Sequence, residues 1–93
     1  MPYKIIYTKS YIKMVKRFFQ KHPEILSVYE KVLLLLERNP NHPSLRLHRL
    51  QGKLQNLYSI SINMKYRIIL YFIITEDKVV LVKIGNHKEV YGE

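Results

Sequence analysis

The chain is 93 residues long, 47% hydrophobic, and carries 16 Lys and Arg against 7 Asp and Glu, a formal net charge of +9 with a pI near 9.9. That length holds one domain, residues 1–93, around a small core. The lack of cysteine excludes a disulfide framework and thiolate metal sites, and no apolar run reaches the ~20 residues that span a bilayer. The charge points to a polyanion as partner, a nucleic-acid backbone or an acidic protein. With no signal-like apolar core at Met1-Pro2-Tyr3-Lys4, a soluble protein in the cytoplasm is expected.

Tyr3 to Tyr7 alternates apolar and mixed residues and predicts a short strand. Thr8 or Ser10 is placed to cap a helix in which Tyr11, Val15, Phe18 and Phe19 share a stripe while Lys9, Lys13, Lys16, Arg17 and Gln20 take the wet side. His22-Pro23-Glu24 restarts the chain, since proline and glutamate both suit a first helical turn. Ile25, Val28, Tyr29, Val32, Leu33 and Leu36 then form a second stripe ending before Asn39-Pro40-Asn41-His42-Pro43. So short a break predicts a two-helix hairpin.

After Pro43 the period changes to two. Leu45 and Leu47 alternate with Arg46 and His48, Gln51-Gly52-Lys53 turns, and Tyr58, Ile60 and Ile62 alternate with Ser59 and Ser61. Asn63-Met64-Lys65 turns again, Tyr66 to Ile74 is apolar on both faces as a central strand would be, and Thr75-Glu76-Asp77 leads into Lys78 to Ile84. The fold class is therefore α+β: an N-terminal strand, a two-helix hairpin, and a four-stranded antiparallel meander. The helices are expected on one sheet face, with the other face largely open, concave and basic.

Hairpin arithmetic sets the register. A turn about Glu76 places Arg67 opposite Gly85, and a turn about Met64 places Ser61 opposite Arg67. Treating the 51–56 connection likewise brings His48 beside Ser59. His48, Ser59, Ser61, Arg67 and the loop carrying His87 then gather on the side of the sheet opposite Tyr58, Ile60 and Ile62.

Such a cluster suits one metal-free reaction: attack of an RNA 2′-hydroxyl on its neighbouring phosphorus. That reaction needs a base, an acid and cationic stabilisation of the phosphorane. His87, and after it His48, are the candidates for proton transfer; Arg67 is the phosphate clamp; and Tyr91 stacks on a base or orients the phosphate. Arg46, Arg49, Lys53, Lys65, Lys83 and Lys88, with Ser59 and Ser61, are the candidate RNA-binding residues. Each has a plainer alternative: Tyr91 closes the core, Arg67 pairs with a carboxylate such as Glu89, and His87 is a solvated loop histidine. His22 and His42 read as cap and turn residues. The histidine spacing supports no metal site, and no cofactor is expected.

The order of elements, together with His48-Arg49-Leu50-Gln51-Gly52-Lys53-Leu54, Tyr66-Arg67-Ile68-Ile69, Val79-Val80-Leu81 and Ile84-Gly85-Asn86-His87-Lys88-Glu89-Val90-Tyr91, closely resembles the RelE/ParE toxin superfamily. The histidine element and the closing Gly-x-His-x-x-x-Tyr are most similar to its YafQ-type branch of ribosome-dependent mRNA interferases. The resemblance implies a type II toxin that cuts mRNA, functional roles for His48, Arg67, His87 and Tyr91, and a small acidic antitoxin. Operator DNA would be bound only through the toxin-antitoxin complex. Ser61 and Lys65 depart from the YafQ pattern, which has a histidine and an aspartate there, and Ser59 and Ser61 stand where RelE carries lysines. The ParE branch shares the fold but acts on DNA gyrase, so gyrase inhibition is the main alternative, and a noncatalytic RNA-binding module the other.

Overall fold

The computed structural model describes residues 2–54 and 56–91, Leu54 by its backbone only. Strand β1 (Lys4–Tyr7) leads into helix α1 (Lys9–Lys21), a 3-10 turn at Pro23–Ile25 and helix α2 (Leu26–Arg38). Strands β2 (His48–Arg49), β3 (Tyr58–Ser61), β4 (Tyr66–Ile73) and β5 (Lys78–Asn86) follow, and a short helix α3 (His87–Tyr91) ends the described chain. The sheet runs β1-β5-β4-β3-β2, with β1 parallel to β5 and the remaining neighbours antiparallel.

Thr8 starts α1 as expected. Its hydroxyl oxygen accepts from the Tyr11 amide at 3.1 Å and donates to the Leu81 carbonyl at 3.0 Å, so one side chain caps the helix and ties it to β5. The predicted stripes of both helices turn inward: Tyr11, Phe18, Tyr29, Val32 and Leu36 pack against Ile60, Ile68, Leu70, Val79 and Leu81. Within this core the Tyr11 and Tyr29 hydroxyls meet at 2.8 Å, which pairs two buried polar groups across the helix hairpin.

The segment after α2 departs from the predicted strand. Pro43–Leu45 is a 3-10 turn whose cap is the His42 imidazole, with Nδ1 accepting from the Ser44 amide at 3.2 Å, and Leu45 is fully buried. Arg46 then takes a left-handed φ of 50°. Regular pairing starts only at His48, so β2 is two residues long. A proline with no amide to donate and a local cap outcompete the alternating pattern of 45–48.

The β4–β5 hairpin turns tightly at Ile74–Glu76, with Asp77 left-handed at φ 52°. Near the turn Phe72 pairs with Val79 and Leu70 with Leu81, whereas beyond it Ile69 pairs with Lys83, leaving Val82 as an extra residue. This bulge re-aims β5. Val79 and Leu81 face the helices before it and Ile84 after it, which leaves Lys83 and Gly85 on the other side of the sheet.

That other side is not fully open. Helix α3 folds onto it, and Val90 joins Leu50 and Ile69 in a second buried cluster, with Leu57 and Tyr91 packed at its margin. The cause is local: Asn86 and Glu89 cap α3 reciprocally, the Glu89 Oε1 accepting from the Asn86 amide at 2.9 Å and the Asn86 Oδ1 from the Glu89 amide at 2.8 Å. His87 is thus the first residue of a helix rather than part of a loop.

Candidate functional site

Two cross-strand rows define the site. His48, Ser59, Ile69 and Lys83 are direct partners across β2, β3, β4 and β5; Ser61, Arg67 and Gly85 are partners one step along β3, β4 and β5. All three expected pairings therefore stand: Arg67 with Gly85, Ser61 with Arg67, and His48 with Ser59. Direct partners share a sheet face. From strand spacing and rise, His48 and Arg67 are about 12 Å apart between Cα atoms, a gap that an arginine and an imidazole bridge from either side of one phosphodiester.

Arg67 is half-buried and forms no side-chain hydrogen bond or ion pair with another described residue. The carboxylate proposed to neutralise it, Glu89, is committed to the Asn86 amide. A planar guanidinium held in a sheet and paired with no described carboxylate is suited to an anion.

The two imidazoles are exposed. His48 Nδ1 lies 3.2 Å from the Arg46 carbonyl, which accepts only, so Nδ1 carries the proton there and Nε2 is left as the free nitrogen. The left-handed turn at Arg46 aims that carbonyl. His87 stands at the start of α3 with its ring centroid 4.3 Å from that of Tyr91, one helical turn on. Tyr91 also packs on the Leu50, Ile69 and Val90 cluster. The packing agrees with the core-closing alternative, while the ring contact keeps Tyr91 beside His87.

Ser59 is a correction. It is 0% exposed, and its hydroxyl has no hydrogen-bond partner among the described residues. Its neighbour Ile69 is roofed by Val90 of α3, a helix the periodic pattern did not reveal, so Ser59 makes no RNA contact. Ser61 is 8% exposed and borders a cleft of about 160 Å³ with Ser44, Arg46, Asn63 and Met64. The structure separates Arg49 from the cluster: it pairs with Tyr58, on the face away from His48, beside a cleft of about 410 Å³ that includes Tyr71 and Ile74. Lys53 and Lys65 are exposed at the β2–β3 and β3–β4 connections, Lys88 is exposed on α3, and half-buried Lys83 lies in the His48 row.

Two features escaped the sequence reading. Gly85 admits α3: a Cβ there would lie 2.9 Å from the Glu89 Cβ. The signal for α3, Asn86 three residues before Glu89, was legible as a capping pair. Met14, Arg17, Lys21 and His22 also line a cleft of about 200 Å³ that reaches Ile84 and Glu89, so α1 and α3 share a border. Among the described residues no group of three or more His, Cys, Asp or Glu is placed to hold a metal ion, and no helix is long and apolar enough to cross a membrane.

The profile described as "Bacterial toxin of type II toxin-antitoxin system, YafQ" matches residues 3–92. The chain belongs to the YafQ toxin family. Similar solved structures include YafQ from E. coli strain BL21(DE3), with a TM-score of 0.79 at 20% identity over 97% of this chain and 99% of that one. The E. coli DinJ-YafQ toxin-antitoxin complex gives a TM-score of 0.78 at 21% identity, over 99% and 100%. The RelBE2 toxin-antitoxin complex of Mycobacterium tuberculosis gives 0.75 at 18% identity, over 94% and 100%. At these identities the structural likeness carries the fold, which is that of the RelE/ParE superfamily. No curated protein sequence matches the chain. Within this YafQ-family toxin, the Gly85-Asn86-His87 stretch and Tyr91 that carried the resemblance are the residues that build α3 and its capping box.

Proposed function

We propose that this toxin is a metal-independent endoribonuclease that cleaves mRNA at the ribosome, and that a small acidic antitoxin holds it inactive. The observation that carries the reading is Arg67, a half-buried guanidinium with no described carboxylate partner, on a strand that lies between the one carrying His48 and the one leading into His87, in a chain of net charge +9. The 2′-oxygen attacks phosphorus as Nε2 of His48 takes its proton. The bond to the 5′-oxygen breaks as His87 supplies a proton, leaving a 2′,3′-cyclic phosphate and a 5′-hydroxyl. Arg67, with Lys83 behind it, stabilises the extra charge of the phosphorane. Tyr91 holds a flanking base against the His87 ring. Arg46, Lys53, Lys65 and Lys88 steady the strand.

The antitoxin is inferred from the type II family and from the charge, since an acidic chain relieves the repulsion among the cations. Expression in bacteria with primer extension on a reporter transcript tests the enzyme reading. The expected result is transcripts cut within codons, lost on His87→Ala. Intact transcripts with DNA damage would instead make the protein a gyrase inhibitor.

A further inference from the structure

We propose that the outer face of α1 is a second nucleic-acid surface, one that grips the phosphate backbone of double-helical RNA. From Thr8 to Pro23 the chain has five cations, Lys9, Lys13, Lys16, Arg17 and Lys21, and no Asp or Glu. At 100° per residue these five, with Ser10 and Gln20, occupy roughly 140° of the helix circumference. All five are exposed, and none forms an ion pair with a described residue. Such an uncompensated row repels itself and has no part in the core, which α1 serves with Tyr11 and Phe18 on its opposite side.

The shape of the row selects its partner. A rigid helix of 13 residues is about 20 Å long and repeats its side chains every ~5.4 Å, which presents charge as a straight ladder. Proteins that hold single strands interleave cations with aromatic platforms, whereas the aromatic rings of α1 all turn toward the core. Protein interfaces are centred on aromatic and aliphatic anchors and are depleted in lysine. The apolar clefts with that character lie elsewhere, around Tyr58, Phe72 and Ile74. A regular phosphate backbone remains as the occupant.

The ladder also has a place in the function. Its C-terminal end, Arg17 and Lys21, lines the cleft that reaches Glu89 of α3, two residues beyond His87. The acid in this cleft is Glu89, whose carboxylate is held by the Asn86 amide. A folded RNA gripped along α1 would thus set the position of the strand lying over Arg67. The inference rests on the ribonuclease reading for that placement and on α1 alone for the binding.

The test measures binding of the purified chain to a labelled 16-base-pair RNA duplex by fluorescence anisotropy over a range of salt. The triple variant Lys13→Gln, Lys16→Gln, Arg17→Gln is set against Lys4→Gln, Lys31→Gln, Arg38→Gln, exposed residues outside the site. Both variants fall to the same net charge, 9 − 3 = +6. The α1 triple is expected to reduce the slope of log K on log salt by about three and to weaken binding at least about tenfold, while the control keeps the parent slope. Equal losses in the two triples, or an unchanged slope in the α1 triple, overturn the proposal. His87→Ala is expected to keep the slope and lose cleavage. A slope lost through α1 in a protein that cuts no transcript supports the surface and overturns the ribonuclease reading alone.

Discussion

Replacing Gly85 by alanine tests whether α3 assembles the site. A Cβ at this position would lie 2.9 Å from the Glu89 Cβ, 3.0 Å from its Oε1 and 3.2 Å from its Cδ. Gly85 sits on the sheet opposite Arg67, and its φ of 157° adds strain for any other residue. Gly85 is held in the sheet by its pairing with Arg67 of β4, β1 covering β5 only as far as Leu81, so the five-residue α3 yields first. When the carboxylate moves, the Asn86 amide loses its 2.9 Å acceptor and the reciprocal cap opens. Overpacking of this kind costs about 1–3 kcal/mol, and a lost cap about 1 kcal/mol; a five-residue helix has no stability of its own to absorb them. Together these come to about 2–4 kcal/mol, and at the lower figure a chain of this size would melt about 8–16 °C lower. His87 and Tyr91 would leave their places while the core under α1 and α2 stays intact. Thermal melting by circular dichroism and cleavage of ribosome-bound mRNA give the two readouts. A variant that melts and cuts like the parent would refute the packing of α3 against Gly85.

Thr8→Ala removes both the α1 cap and the bond to the Leu81 carbonyl; a loss of about 1–2 kcal/mol in urea denaturation is expected, and no loss would deny the cap. Burial pushes the Tyr11 hydroxyl well above its ordinary value of 10.0, and burial likewise raises Tyr29. Both stay protonated in the folded state at pH values where the unfolded chain ionises. The contribution of these two tyrosines is therefore flat below pH ~10 and falls above it, by up to about 1.4 kcal/mol per pH unit for each. Denaturation curves between pH 8 and 11 check this, and Tyr11→Phe should flatten the fall.

Much of the site could be read from the chain because hairpin register is a local property. The turns about Met64 and Glu76 and the alternation of Ser59 and Ser61 sufficed to set Arg67 between Ser61 and Gly85. The second of these pairings holds through two offsetting facts: the turn is centred half a residue earlier than assumed, between Thr75 and Glu76, and the bulge at Val82 restores the register. Neither is visible in periodicity. The helix stripes were legible for the same local reason, since Tyr11, Phe18, Tyr29 and Leu36 recur at helical spacing. Failures came where one strong local interaction beat a weak pattern. His42 capping Pro43–Leu45 shortened β2, and the Asn86–Glu89 box turned a presumed loop into α3. The burial of Ser59 followed from α3, so the sequence reading misplaced the serine through the same omission. Arg49, expected among the RNA-binding cations, directly follows His48 on β2 and pairs with Tyr58, and adjacent residues on a strand take opposite faces.

In the proposed mechanism Arg67 is the phosphate clamp. Single-turnover cleavage of a defined mRNA on purified ribosomes by the parent, Arg67→Lys and Arg67→Ala chains measures this directly. Loss of the guanidinium is expected to slow cleavage on the order of 10²–10³-fold. Lysine should recover only part of the rate, because its point charge lacks the two-pronged geometry. The melting temperature should stay at the parent value, since Arg67 has no described side-chain partner to lose. Cleavage by Arg67→Ala at the parent rate, with the same product ends, would contradict the account.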